Sequence, residues 1–127
     1  MKVFKSICEM IIRQRPTIII LLAFFLLITS NARAQNELTN AAFHGDIKTV
    51  KALLAEGADV NAKNDEDITA LFMACYSGHI DVVKTLLASG ADVKVKTSND
   101  KMTALEAAEK GNHSEIVMLL KNDGNEY

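Results

Sequence analysis

The tetrapeptide Gly-Ala-Asp-Val occurs twice, from Gly57 and from Gly90, and the echo runs well beyond four letters. "GDIKTVKALLAEGADV" from Gly45 matches "GHIDVVKTLLASGADV" from Gly78 at an offset of 33 residues, and "TALFMACYSGHIDVVKTLL" from Thr69 matches "TALEAAEKGNHSEIVMLLK" from Thr103 at an offset of 34. A fixed period in this range builds stacked supersecondary units, none of which can bury its apolar face alone. The extra residue of the second offset falls within "KVKTSNDKM", from Lys94, a polar stretch where a longer loop costs little.

Each unit reads as two helices and a loop. Ile47, Val50, Leu53 and Leu54 fall at i, i+3, i+6 and i+7, one face of a helix. Asp46 is placed to cap its start and Gly57 to end it in a left-handed residue. The spacing recurs at Val82, Val83, Leu86 and Leu87 and at Ile116, Val117, Leu119 and Leu120. Shorter, Ala-rich helices are expected near Glu37 to His44, Ala70 to Ser77 and Ala104 to Lys110, since small side chains let helices approach closely. Between units the Gly-Ala-Asp-Val stretch leads into an extended, polar, hairpin-like loop.

The first 34 residues read as an export signal. Lys2, Lys5, Arg13 and Arg15 form a basic start, Ile18 to Ile28 is an unbroken apolar run, and Ala32-Arg33-Ala34 is the small-residue pattern signal peptidase accepts. Cleavage is expected between Ala34 and Gln35. The alternative is an uncleaved membrane anchor, although Pro16 to Ala32 is shorter than the roughly 20 residues a bilayer needs. In either case the charge bias leaves the N-terminus inside and sends the rest out. Gln14 separates Arg13 from Arg15, so no twin-arginine signal is present, and no Cys sits at the junction to carry a lipid.

Residues 35–127 then form one small domain. Five of the fourteen basic residues and one of the sixteen acidic ones leave with the signal, so nine positive groups face fifteen negative ones, a net charge of −6. That balance argues against nucleic acid as a partner, and against anionic membrane surfaces. Cys8 also leaves, so Cys75 has no intrachain disulfide partner and packing must supply the stability.

Over nearly all of this mature chain the sequence resembles the ankyrin-repeat family, whose pattern runs Thr-Pro-Leu-His-x-Ala-Ala, two variable positions, Gly-His, an apolar helix ending in Leu, then Gly-Ala-Asp-Val-Asn. Thr69-Ala70-Leu71, Ala74, Gly78-His79, Val82-Val83, Leu86-Leu87 and Gly90-Ala91-Asp92-Val93 satisfy it in the middle unit, and Gly57-Ala58-Asp59-Val60-Asn61 closes the first. Ala70 and Ala104 replace the Pro, Phe72 and Glu106 replace the His, Asp67 sits where the hairpin turn usually has Gly, and Asn112 takes the place of the helix-linking Gly. The resemblance implies an all-α repeat solenoid of about three stacked repeats, each a helix-turn-helix plus a β-hairpin-like loop, at about 37–66, 67–99 and 100–127. The first repeat, entering near Glu37, and the polar third repeat would cap the stack.

No residue set points to catalysis. His79 and His113 share one repeat position, and helices of adjacent repeats stack roughly 8–10 Å apart, too far for two imidazoles to reach one ion at about 2 Å. Cys75 stands at a small core position, Phe72 is expected in the core, and Asp65-Glu66-Asp67 lacks the Gly and distal Glu of a calcium loop. No metal, cofactor or enzymatic turnover is expected.

Binding is what remains. The resemblance implies that contacts come from the loop tips and the two variable positions, which line one concave face. These are Phe43 and His44 in the first repeat, Asp65, Glu66, Ile68, Tyr76 and Ser77 in the second, and Asn99, Asp100, Met102, Lys110 and Gly111 in the third. Phe43, Ile68, Tyr76 and Met102 would form an apolar patch of the kind enriched at interface cores, rimmed by acidic tips; the alternative is that Phe43 and Ile68 pack onto the neighbouring repeat and leave only Tyr76 free. The expectation is an exported monomer, periplasmic or secreted, that binds one protein partner. The alternatives are an inhibitor or immunity protein for a basic toxin or enzyme, and a membrane-anchored structural protein.

Overall fold

The computed structural model describes residues 16–124. The basic start and Cys8 lie outside them. The helices are α1 (Pro16–His44), α2 (Ile47–Ala55), α3 (Ala70–Ser77), α4 (Ile80–Ala88), α5 (Ala104–Lys110) and α6 (Ser114–Gly124). The only strand-type bridge among the described residues is an isolated antiparallel one between Lys63 and Thr69. The fold is therefore the expected all-α repeat solenoid, with α3 and α5 matching the sequence reading residue for residue.

The chain divides into two units between Asn31 and Ala32. In the first, the large apolar side chains described between Ile18 and Leu27 are exposed. Among the described residues no helix is long and apolar enough to cross a membrane. In the second, the inner helix of the first repeat does not begin at Glu37 as expected, because α1 already includes that stretch. The sequence from Ala32 to Leu38 contains no Gly or Pro to break a helix.

The repeated tetrapeptide is a helix stop. At its first copy Gly57 adopts φ 93°, its N–H donates to Leu54 O (3.1 Å) and the Ala58 N–H donates to Leu53 O (3.0 Å). At the second, Gly90 adopts φ 90° and the same two bonds run from Gly90 to Leu87 O and from Ala91 to Leu86 O, both 3.0 Å. This is the Schellman arrangement, which satisfies carbonyls that the helix end leaves open. Asp59 Oδ1 and Asp92 Oδ1 then accept from the N–H two residues on, at 3.0 and 2.9 Å. Asn61 ties the two copies together: its Nδ2 donates to Gly90 O (3.2 Å) and its Oδ1 accepts from Asp92 N (2.7 Å).

Helix starts are capped from the sequence as well. Asp46 Oδ1 accepts from Thr49 N (3.2 Å) and Oδ2 from Thr49 Oγ1 (2.6 Å). The hydroxyl of Thr49, then its N–H, hold the Asp46 carboxyl below the ordinary aspartate range. A lowered folded pKa means that the cap stabilises above the unfolded carboxyl's pKa and that this contribution fades as pH falls through the folded value. Thr69 caps α3 through Phe72 N. Glu106, standing where the family pattern has His, completes a capping box on α5: Thr103 N donates to Glu106 Oε2 (2.9 Å) and Glu106 N to Thr103 Oγ1 (3.3 Å). Phe72, the other residue in a His position, is half-buried against the core as expected.

Helix α3 packs on α4 and α5, α5 on α6, and α4 on both α2 and α6. The core they enclose includes Leu38, Val50, Leu71, Val82, Leu86 and Ile116, with Ala42, Ala74, Ala107 and Ala108 where inner helices come close. Histidines brace adjacent repeats. His79 Nε2 bonds Phe43 O at 3.0 Å and His113 Nε2 bonds Tyr76 O at 3.1 Å, each ring N–H donating to the last turn of the preceding inner helix. The rings lie against Gly45 (φ 73°) and Gly78 (φ 84°), where any Cβ would overlap the imidazole. Asn112, at the third equivalent position, enters the left-handed region at φ 59°.

Candidate functional site

The loops between repeats are fingers closed at their base by side chains. In the first, Asn64 N donates to Ile68 O (2.9 Å), Asn64 Oδ1 accepts from Glu66 N and Ile68 N, and Asp67 takes φ 62°. Lys63 pairs with Asp67 across this turn at 2.9 Å. In the second, Thr97 N donates to Met102 O (3.0 Å), Thr97 Oγ1 accepts from Met102 N (3.2 Å) and Lys101 takes φ 51°. Asn64 to Ile68 spans one residue fewer than Thr97 to Met102, so the inserted residue lies at the tip of the second finger.

Two open grooves flank these fingers. The first, about 340 Å³, is lined by Asn36, Thr39, Asn40 and Phe43 from α1, by Asn64, Asp65 and Glu66 from the finger and by Met73 from α3. Asn36 clamps the finger tip, its Nδ2 donating to Asp65 Oδ2 (2.9 Å) and its Oδ1 accepting from Asp65 N (3.4 Å). The second, about 500 Å³, lies between Asp100, Lys101 and Met102 of the second finger and Glu106, Glu109 and Lys110 of α5.

The first groove thus unites Phe43, Asp65 and Glu66, and the second unites Asp100, Met102 and Lys110. Phe43 and Tyr76 occupy the same position in successive repeats and are 43% and 52% exposed. Phe43 meets the His44 ring edge to face at 5.2 Å. His44 turns instead to a third depression with Glu37, Asn40 and Asp46, its Nδ1 on Asn40 O at 2.9 Å. Asn99 is exposed at the second finger, and Gly111 is half-buried. Ile68 and Met102 are half-buried rather than free, because each closes the base of its finger, and the Met102 sulfur accepts from Lys110 Nζ at 3.3 Å. Ser77 is half-buried too, with an Oγ that has no hydrogen-bond partner among the described residues.

Asn36, Thr39, Asn40, Asn64 and Met73 in the first groove and Lys101, Glu106 and Glu109 in the second were not among the expected site residues. The pairing of Asn36 with the finger bridges residues 29 apart, which spacing along one repeat does not reveal.

Nothing in these grooves assembles a nucleophile with a base. The Cys75 thiol is fully buried, and burial pushes its pKa up to about 12, so it stays protonated. Among the described residues no three His, Cys, Asp or Glu side chains come together to hold a metal ion.

A family model described as Ankyrin repeats, in 3 copies, matches residues 38–127. No curated protein matches the chain.

Proposed function

We propose, from the premise that this chain belongs to the ankyrin-repeat family, that it works outside the cytoplasm as a non-catalytic module holding one protein partner on its concave face. Ankyrin repeats are in general protein-binding modules. The observation that carries the reading is the pair Phe43 and Tyr76, large aromatic side chains left in solvent one repeat apart at the ends of the inner helices. Aromatic anchors of this kind dominate interface energetics when a partner desolvates them. The capped and braced helices make the surface rigid, so little ordering cost is left for binding. Export rests on the basic start, the apolar run and the Ala32-Arg33-Ala34 pattern.

A second reading, an inhibitor or immunity protein that occludes a basic toxin or enzyme, is favoured by Asp65 and Glu66 at the exposed finger tip and by the net charge of −6 beyond the signal. A membrane-anchored form differs from both in keeping the exposed apolar stretch from Ile18 to Leu27, and the mass of the chain isolated from cells separates it.

Capture from the native envelope fraction tests the surface. Wild type is expected to retain one protein that a Phe43→Ala/Tyr76→Ala double variant releases, with affinity reduced at least tenfold. Equal retention by both baits would refute the concave-face reading, and the identity of the retained protein separates helper from inhibitor.

A further inference from the structure

We propose that the first groove takes an arginine or lysine side chain from an extended basic segment of the partner, its aliphatic stem on Phe43 and Met73 and its charged head on Asp65 and Glu66. The proposal deepens the concave-face reading and rests on it. The two grooves differ in charge although they stand at comparable places in the repeat. The first has two carboxylates and no cation in its lining. Among the described residues no cation pairs with either, since the ion pairs are Lys63 with Asp67 and Lys121 with Glu109. The second carries its own cations, Lys101 and Lys110, while Glu106 is committed to the capping box and Glu109 to Lys121. Of the two finger grooves the first lacks a counter-charge in its lining, and a cationic side chain of a partner would complement it.

Shape agrees with this charge. A groove of about 340 Å³ is small among binding clefts and suits one long side chain. Phe43 and Met73 offer an apolar wall against which a cationic stem lies while its head stays at the wet rim. A guanidinium can stack on Phe43 and fork to a carboxylate, which favours arginine over lysine. The Asn36 clamp fixes Asp65 before the partner arrives.

The test is an amide-shift titration of the full 15N-labelled chain in non-ionic detergent, with hexa-arginine as probe and hexa-citrulline as its neutral isostere. Shifts are expected to concentrate at Asn36, Asp65, Glu66 and Met73, with hexa-citrulline at least tenfold weaker. Asp65→Asn/Glu66→Gln, which keeps the acceptor for Asn36, is expected to weaken hexa-arginine at least tenfold, and Asp100→Asn/Glu109→Gln less than twofold. Retained spectral dispersion shows that each variant is folded. Shifts spread evenly over both grooves, or equal weakening by the two neutralised pairs, would overturn the proposal. In the capture experiment, a partner lost from Phe43→Ala/Tyr76→Ala but held undiminished by Asp65→Asn/Glu66→Gln overturns this inference and leaves the concave-face reading standing. A partner held equally by wild type and by Phe43→Ala/Tyr76→Ala overturns that reading instead.

Discussion

Gly78→Ala is expected to destabilise the domain by about 3 kcal/mol, against about 1–2 kcal/mol for Gly90→Ala, although both glycines have nearly the same backbone conformation. Their φ angles are 84° and 90°, and the left-handed region alone costs an L-residue about 1–2 kcal/mol. The surroundings differ. A Cβ on Gly90 meets nothing within 4 Å, whereas one on Gly78 lands on the His113 imidazole. That ring cannot move without giving up its bond to Tyr76 O, worth about another 1 kcal/mol, together with its packing. For a domain of this size the Gly78 variant should melt roughly 12–24 °C below wild type. The cycle that isolates the cause is Gly78→Ala in a His113→Ala background, where the alanine should cost no more than it does at position 90. If Gly78→Ala and Gly90→Ala cost the same in the wild-type background, the histidine brace between repeats contributes nothing at that site.

The other large effect is expected at Leu86, which is fully buried on α4, the helix that packs on both α2 and α6. Leu86→Ala leaves a cavity in a dense core and should cost about 3–4 kcal/mol. That is a large share of the roughly 5–10 kcal/mol a small domain possesses. The loss can be read at a second place, the Cys75 thiol, which is buried and held protonated in the folded state. In a Cys8→Ser background, native-state labelling of Cys75 should accelerate by roughly two to three powers of ten, following the population of open molecules. Met118→Ala, on the 67% exposed surface of α6, should change neither stability nor labelling measurably. Equal labelling of wild type and Leu86→Ala would mean that α4 is not the helix on which the stack depends.

Much of this was legible in the chain because the repeat writes the same local chemistry more than once. Gly57 and Gly90 announce helix ends, Asp46 announces a start, and Asn112 replaces a glycine at a position that only a few residue types enter easily. Departures from the family pattern were harder to read. Glu106 looked like a missing histidine, yet it completes the capping box with Thr103 and strengthens the helix start. The side chains that shape the grooves were less legible still. Asn36 and Asp65 are 29 residues apart and meet only because one repeat stacks on the next. Of the four residues read as an apolar patch, Ile68 takes the packed alternative and Met102 is half-buried with its sulfur on Lys110, which spacing within the repeat did not distinguish from exposure. Phe43 and Tyr76 were legible as candidates for the surface, and the structure leaves both aromatic rings in solvent.

Photo-crosslinking in living cells tests the central claim, that the partner sits across the inner helices and fingers. Benzoylphenylalanine placed at Phe43 or at Tyr76 keeps an aromatic side chain at each position, while Lys84 on α4 and Met118 on α6 are exposed sites on the outer helices. Adducts of one common mass at 43 and 76, absent at 84 and 118, are the predicted result. Adducts at 84 or 118 with none at 43 or 76 would contradict it and place the partner on the outer helices instead.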